Sequence, residues 1–309
     1  MSVSALRILR SGPLIFTADE LGDGPLVLCL HGFPDHRGSW RHQLPALAEA
    51  GFHVVAPNLR GYEPSSQPEA RWASPFSRSS TGRAAHAYHL TRLGEDVVAW
   101  LDDLGEGRVH LVGHDWGAAI ATIAAQLIPD RVASLTTLAV PPLHRMGAMI
   151  RARPTALSKL WYMAFFQLRG LSDRALLARD GAFIRRLWAS WSPGWTCPEP
   201  AMRAVLDALS RPGVASAALA YYRHAPDIFT DAGRRSWRLL RARVKVPALA
   251  MAGALDGCMD SALYDVGISA DDFEAGVTFE RVEGAGHFLH QERPEVVNRL
   301  LIDWLASHA

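Results

Sequence analysis

Short apolar runs of strand length alternate with helical patterns along much of this chain, and this alternation constrains the fold more than any other feature. The runs cover residues 26–30, 53–56, 109–112, 135–140, 247–252 and 277–282. Helical patterns follow several of them, for example at residues 94–104 and 294–309. Strands that alternate with helices are typical of an α/β fold with a mostly parallel sheet flanked by helices. With 309 residues, 49% of them hydrophobic, the chain is long enough to bury such a sheet.

The alternation is interrupted in three places. Residues 14–18 and 26–30 flank a Gly-containing stretch and predict a β-hairpin, so we expect an antiparallel start to the sheet. No strand pattern is evident in residues 141–245, which predict a helical cap inserted into a core formed by residues 1–140 and 246–309. Residues 64–87, rich in Ser, Arg, Pro and Ala, predict a long surface loop.

Composition excludes several classes of protein. The 32 Lys and Arg residues and 31 Asp and Glu residues give a net charge of +1, from which we expect neither nucleic acid nor membrane as a partner. The three cysteines are far apart and disfavour a disulfide scaffold, which indicates a cytoplasmic protein. No signal peptide or membrane span is recognisable. We expect no metal or cofactor, because metal-ligand spacings and phosphate-binding loops are missing, and we expect a monomer or homodimer.

A candidate nucleophile, Asp115, lies between a predicted strand and a helix of small residues. Residues 113–117 read Gly-His-Asp-Trp-Gly, the Gly-x-nucleophile-x-Gly form of a strand-turn-helix elbow. Glycines are needed there because the turn is sharp and the strand and helix approach closely. Asp256 and His287 each follow a later predicted strand. Alone, each of the three is also compatible with an ordinary turn or core residue, but their order and positions predict an Asp115, Asp256 and His287 triad.

Further motifs carry a resemblance to a known family: His-Gly-Phe-Pro-Asp at 31–35, Arg-Gly-Tyr at 60–62 and Tyr-Tyr-Arg at 221–223. With the elbow at 113–117 they make the chain resemble the α/β-hydrolase family over essentially its whole length, and its epoxide hydrolase branch in particular. The resemblance implies an oxyanion hole formed by the backbone N–H groups of Phe33 and Trp116. It also implies that Tyr222 polarises the epoxide oxygen. The second tyrosine of the family would align with Phe165, which has no hydroxyl, so either Tyr162 substitutes for it or one tyrosine acts alone.

An aspartate nucleophile is ionised at neutral pH and can attack an sp³ carbon. The resemblance therefore implies a cofactor-independent epoxide hydrolase, in which Asp115 forms an alkyl ester, His287 activates water supported by Asp256, and a vicinal diol leaves. Aromatic residues in the cap favour an apolar substrate. Three alternatives stay open. A haloalkane dehalogenase is disfavoured by Phe33, which lacks a side-chain donor for halide; the others are an esterase or lactonase, and a ligand receptor on the same scaffold.

Overall fold

The computed structural model describes residues 4–68 and 87–309. Its centre is an eight-stranded sheet. The strands are β1 (Ala5–Ser11), β2 (Leu14–Leu21), β3 (Leu26–Leu30), β4 (His53–Pro57), β5 (Val109–His114), β6 (Val132–Leu138), β7 (Ala248–Gly253) and β8 (Val277–Val282). They lie in the order β1-β2-β4-β3-β5-β6-β7-β8, and all neighbours from β4 to β8 are parallel. The predicted α/β fold with a mostly parallel sheet is thus confirmed, and β6 begins three residues before the predicted run.

The predicted hairpin between residues 14–18 and 26–30 is wrong, although the sheet does start with antiparallel strands. Strand β2 pairs with β1 and with β4, whereas β3 lies between β4 and β5. The actual hairpin joins β1 to β2 through Gly12 and Pro13, where Gly12 has a φ of 56°. That angle suits glycine in a two-residue turn. Strand β1 escaped prediction because it is an edge strand in which Leu9 alone is buried.

Helices cover both faces of the sheet. In the described residues they are α1 (Gln43–Glu49), α2 (Leu90–Leu104), α3 (Trp116–Leu127), α4 (Met146–Ala152), α5 (Ala156–Lys159), α6 (Trp161–Phe166), α7 (Leu171–Trp191), α8 (Glu199–Ser210), α9 (Val214–His224), α10 (Asp231–Arg241), α11 (Tyr264–Gly267), α12 (Leu289–Glu292) and α13 (Pro294–Ala306). Alternate residues of β3 enter opposite cores: Leu28 packs with α2 and α3, and Val27 packs with α1 and α13. Burial on both faces explains why the strands are almost continuously apolar.

Helices α4 to α10 follow one another between β6 and β7, with one isolated β-bridge from Val244 to Phe273. Helix α7 is broken at residues 178–181, where the backbone leaves the helical region. Two hydrogen bonds tie these helices to loops that follow parallel strands. The indole N–H of Trp188 donates to the carbonyl of Pro34 at 3.1 Å, and the hydroxyl of Tyr221 donates to the carbonyl of Arg60 at 2.7 Å. The helices therefore lie over the carboxyl end of the sheet.

Most of the predicted surface loop at residues 64–87 lies outside the described residues. Its first residues, Pro64–Ser66, form a 3-10 turn. Among the helices of the described ranges, none has both the length and the apolar character needed to cross a bilayer.

Strand β5 and helix α3 are joined by a single residue, Asp115, with a φ of 52° and a ψ of −119°. The junction is closely packed. A Cβ atom on Gly117 would lie 2.0 Å from the carbonyl oxygen of Leu30, and one on Gly113 would lie 2.3 Å from the carbonyl oxygen of Gly117. Only glycine fits at these two positions, because the neighbouring atoms belong to the backbone of strands and helices that cannot move independently.

We expect Gly117→Ala to lower the free energy of unfolding by about 2–3 kcal/mol or more, since the added methyl group must displace β3 or α3. Gly147→Ala is the matched control: Gly147 lies in α4, and an added Cβ would meet only the end of Arg151 at 3.6 Å. Alanine there should be neutral or stabilise the protein by up to about 1 kcal/mol. Urea unfolding of the two variants measures both effects. Equal stability of Gly117→Ala and the wild type would contradict the close packing of the junction.

Candidate active site

The candidate site residues lie at the carboxyl ends of four parallel strands. Phe33 follows β3, Asp115 follows β5, Asp256 follows β7 and His287 follows β8. The carboxyl ends of parallel strands share one edge of the sheet, where ligands commonly bind in α/β proteins. The structure brings all four residues together there.

Asp115 is buried, and the two oxygens of its carboxylate have different surroundings. Oδ1 accepts a hydrogen bond from the backbone N–H of Phe33 at 2.7 Å. Oδ2 lies 3.8 Å from Nε2 of His287. The second predicted oxyanion donor, the N–H of Trp116, makes no hydrogen bond to this carboxylate in the described structure. One oxygen is therefore held by backbone, while the other faces the imidazole.

Asp256 holds the imidazole of His287 in one orientation. Nδ1 of His287 lies 3.0 Å from Oδ2 of Asp256. The other carboxylate oxygen accepts the N–H groups of Cys258 and Met259 at 2.7 and 2.8 Å. Since a carboxylate only accepts hydrogen bonds, Nδ1 carries the proton, and Nε2 points toward Asp115. Nε2 has no hydrogen-bond partner among the described residues. The gap of 3.8 Å is too long for a direct hydrogen bond.

The charges of this group are coupled. Burial lowers the pKa of His287, but the negative charge of Asp256 and the contact with Asp115 outweigh it and raise that pKa to about 10. Burial would raise the pKa of Asp115, but the imidazole of His287 and the N–H of Phe33 lower it. Both carboxylates thus favour the protonated form of the His287 imidazole. Removing the charge of Asp115 removes one of the two charges that raise the pKa of His287.

His114 is hydrogen-bonded to the backbone of His287. Its Nε2 donates to the backbone carbonyl of His287 at 3.0 Å. Burial lowers the pKa of His114 to about 3, so it is neutral and carries its proton on Nε2. The residue preceding Asp115 therefore fixes the backbone of the histidine on the other side of the site.

A cavity of about 260 Å³ lies between Asp115 and the helices that follow β6. Asp115, Trp116, Tyr162 and Tyr222 contribute to its lining. Most of the remaining wall is apolar: Leu90, Ala119, Val140, Leu143, Met146, Leu160, Met163, Ala225, Pro226, Trp237, Leu240 and Met259. Such a cavity suits a small, largely apolar ligand. In the described ranges no group of three or more His, Cys, Asp or Glu side chains is arranged to bind a metal ion.

The two candidate tyrosines lie side by side. The rings of Tyr162 and Tyr222 are 5.7 Å apart, and the ring of Tyr222 packs edge-on against Trp116 at 5.0 Å. Burial raises the pKa of both phenols, so both remain protonated donors at neutral pH. The hydroxyl of Tyr222 is buried without a hydrogen-bond partner among the described residues. Phe165 is absent from the cavity lining and packs against Phe183 at 5.2 Å.

Sequence reasoning missed two features of the site. Cys258 donates its N–H to Asp256 and places Sγ 3.4 Å from the hydroxyl of Tyr162, which links Asp256 to a tyrosine. A polar pair, His89 and Asp227, also lines the cavity, with Nε2 and Oδ2 3.2 Å apart. Only the position of Cys258, two residues after Asp256, could have suggested the first feature. No sequence signal marks the second.

Comparison with known proteins identifies the family. Residues 25–294 match the alpha/beta hydrolase fold family. Epoxide hydrolase A of Mycobacterium tuberculosis is 33% identical over 99% of each chain, and Epoxide hydrolase 3 of Siraitia grosvenorii is 31% identical over 93% of each. The crystal structure of Epoxide Hydrolase A from Mycobacterium thermoresistibile superposes with a TM-score of 0.76, at 30% identity over 98% of each chain. The chain belongs to the α/β-hydrolase family and, within it, to the epoxide hydrolase-like branch.

We expect Asp115→Asn to lower the pKa of His287, because the amide keeps the shape of the side chain and removes its charge. In the wild type that pKa is raised from 6.5 to about 10, so protonation of His287 stabilises the fold below pH 6.5 and this contribution is lost as the pH rises through about 10. NMR titration of the His287 ring signals measures the shift. Asp130→Asn, an exposed residue of the surface, is the matched control and should leave the titration unchanged. An equal pKa of His287 in Asp115→Asn and in the wild type would contradict the electrostatic coupling between Asp115 and His287.

Proposed function

We propose that this protein hydrolyses an epoxide to a vicinal diol through an ester of Asp115. The observation that carries the proposal is the Asp115 carboxylate at the elbow between β5 and α3, with Oδ1 bound by the N–H of Phe33 and Oδ2 facing His287. An ionised carboxylate needs no base to act as a nucleophile. The relatives named as epoxide hydrolases support this choice of substrate.

In the first step, Oδ2 of Asp115 attacks one carbon of the epoxide. The C–O bond of the ring breaks as the ester bond forms, and the departing oxygen takes a proton. Tyr222 is the proposed donor, because its hydroxyl is buried and has no other partner in the described residues. Tyr162, rather than Phe165, is the proposed second donor, because its ring lies 5.7 Å from that of Tyr222 on the wall of the same cavity.

In the second step, Nε2 of His287 takes a proton from water, and the resulting hydroxide attacks the carbonyl carbon of the Asp115 ester. The negative charge then develops on Oδ1, where the N–H of Phe33 already lies at 2.7 Å. The N–H of Trp116 is the proposed second donor. As the ester bond breaks, the departing diol oxygen takes the proton held by His287. The proton of the water-derived hydroxyl returns to the phenolate of the donor tyrosine, and Asp115 is again a carboxylate that keeps an oxygen from water.

The order of the steps follows from the coupled charges. In the free protein the charges of Asp256 and Asp115 raise the pKa of His287 and so favour its protonated form, which cannot act as a base. Once Asp115 is an ester, its charge is gone and only Asp256 continues to raise the pKa of His287. Formation of the ester therefore lowers the pKa of His287 when a base is needed. Asp256 then stabilises the imidazolium that forms as water gives up its proton.

We further propose that residues 141–245 form a cap over a core of residues 1–140 and 246–309, with the substrate between them. The cavity is bounded by Asp115 and Trp116 on one side and by Tyr162 and Tyr222 on the other. Its mostly apolar wall favours an epoxide with apolar substituents.

A haloalkane dehalogenase is the second candidate function. The indole N–H of Trp116 is buried without a hydrogen-bond partner among the described residues, and its side chain lines the cavity. An N–H donor in this place suits a departing halide. Against it, Phe33 offers no side-chain donor on the opposite side.

We expect His287→Gln to form the ester without hydrolysing it, since the variant keeps Asp115 and lacks the base. Intact mass spectrometry after incubation with a panel of small epoxides and haloalkanes should show the mass of a whole epoxide added. Asp115→Asn/His287→Gln is the control and should gain nothing. A gain equal to a haloalkane minus hydrogen halide would identify a dehalogenase. A folded variant without any adduct would exclude the ester mechanism and favour an esterase, lactonase or receptor.

We expect Tyr222→Phe and Tyr162→Phe each to lower kcat for epoxide opening at least tenfold, because general acid catalysis typically contributes a factor of about 10²–10⁴. Tyr264→Phe is the matched control. The hydroxyl of Tyr264 is also buried without a described partner, but the residue stacks on Phe279 and does not line the cavity. Its variant should stay within twofold of the wild type. If Tyr162→Phe alone leaves kcat unchanged, Tyr222 is the single donor.

A further inference from the structure

The net charge of +1 conceals a division of the chain into two oppositely charged parts. Residues 141–245 contain 18 of the 32 Lys and Arg residues but only 6 of the 31 Asp and Glu residues, a formal charge of +12. The other 204 residues carry −11. The net charge of +1 therefore does not describe residues 141–245, which carry a local excess of positive charge.

Much of the positive charge on α4 to α7 is exposed and unpaired. Six arginines in residues 151–186 are exposed and form no ion pair with any described residue: Arg151, Arg153, Arg169, Arg174, Arg179 and Arg186. The two acids of this stretch are already paired, Asp173 with Arg223, and Asp180 with Arg185 and Arg203. The surface formed by residues 151–186, here called the basic face, therefore has an unbalanced positive charge.

Apolar side chains project from the same stretch. Leu157, Trp161, Leu168 and Leu171 are between 49% and 59% exposed. Single exposed apolar residues are ordinary, but four within 15 residues of sequence, with Lys159 and Arg169 between them, are the composition of an interfacial surface. The indole of Trp161 is held by ring contacts with Phe165 at 6.4 Å and Phe183 at 6.0 Å, which join α6 to α7.

The turn that carries Leu168 and Leu171 is held in place from the inside. The guanidinium of Arg223, on α9, donates to the carbonyl of Phe166 at 2.9 Å and to the hydroxyl of Ser172 at 3.0 Å, and pairs with Asp173 at 2.6 Å. These bonds attach both ends of the turn, Phe166 on one side and Ser172 and Asp173 on the other, to α9. The backbone that carries the two leucines is thus fixed, and they cannot fold back without breaking this partly buried ion pair.

We propose that the basic face binds anionic lipid surfaces, with its arginines at the headgroups and Trp161, Leu168 and Leu171 inserted between them. Arginines near an anionic bilayer each add to its affinity, and apolar anchors add burial. The −11 charge of the rest of the chain is repelled by the same surface, so the molecule approaches with residues 141–245 toward the lipid.

Lipid is favoured over nucleic acid because of the leucines and the indole. Phosphate groups of nucleic acid would satisfy the arginines, but exposed leucines gain nothing from a sugar-phosphate backbone. Helix α6 also connects the basic face to the cavity: Trp161 projects outward, while Leu160, Tyr162 and Met163 line the cavity. Binding to lipid is independent of the reaction proposed above and is measured without a substrate.

The test is co-sedimentation of the full-length protein with vesicles of phosphatidylcholine, with and without about one third phosphatidylglycerol. The wild type should bind the anionic vesicles and be released by about 1 M salt, which shortens the Debye length to about 3 Å. Arg169→Glu/Arg174→Glu should weaken binding at least tenfold, and Leu168→Ser/Leu171→Ser should weaken it at unchanged charge. All four side chains are exposed, and the melting temperature checks that each variant is folded.

The matched control is Arg108→Glu/Arg299→Glu, which makes the same charge change on exposed residues outside the basic face. It should bind anionic vesicles within twofold of the wild type. An equal loss in this control would show that net charge, and not this face, determines binding, and would overturn the proposal. So would failure of the wild type to bind anionic vesicles, including the case in which it binds a DNA duplex under the same conditions.

Discussion

The single-residue connection from β5 to α3 is the constraint on which the rest of the site depends. Its residue, Asp115, has a positive φ that costs a non-glycine residue on the order of 1–3 kcal/mol, and such a conformation persists only where the surroundings enforce it. Here the enforcement is close packing, since Gly117 lies against the carbonyl of Leu30 and leaves no room for a side chain. The strain projects the carboxylate toward the ends of β3 and β8, where Phe33 and His287 meet it.

Once the carboxylate is fixed, the charges around it set the chemistry. Two carboxylates share one imidazole, and each stabilises its protonated form. Asp256 does so from a fixed position, because its other oxygen accepts hydrogen bonds from the N–H groups of Cys258 and Met259. Asp115 does so only while it is ionised. The charge of Asp115 therefore contributes to the basicity of His287.

The features predicted correctly from the sequence are those that depend on residues close together in the chain. The strands were recognisable because both faces of a parallel sheet are buried, so their residues are largely apolar. The residues of the proposed triad were recognisable by their positions after these strands. The partner of β2 was not predictable in this way, because pairing joins residues far apart in the chain. The choice between Tyr162 and Phe165 depended on which side of α6 faces the cavity, and six residues are too few for a reliable helical pattern. The unequal distribution of charge could be counted from the sequence, but only the structure shows that six arginines of residues 151–186 are exposed and form no ion pair with any described residue.

Helix α6 lies between the cavity and the basic face. It has only six residues, and an isolated helix of that length is unstable in water, so its position is set by its contacts. On the inner side, Tyr162 packs edge-on near Tyr222 and reaches Sγ of Cys258. On the outer side, Trp161 packs against Phe183 and remains half exposed. Cys258 in turn donates its N–H to Asp256. One short helix thus connects the basic face, the cavity wall and the proposed proton donor.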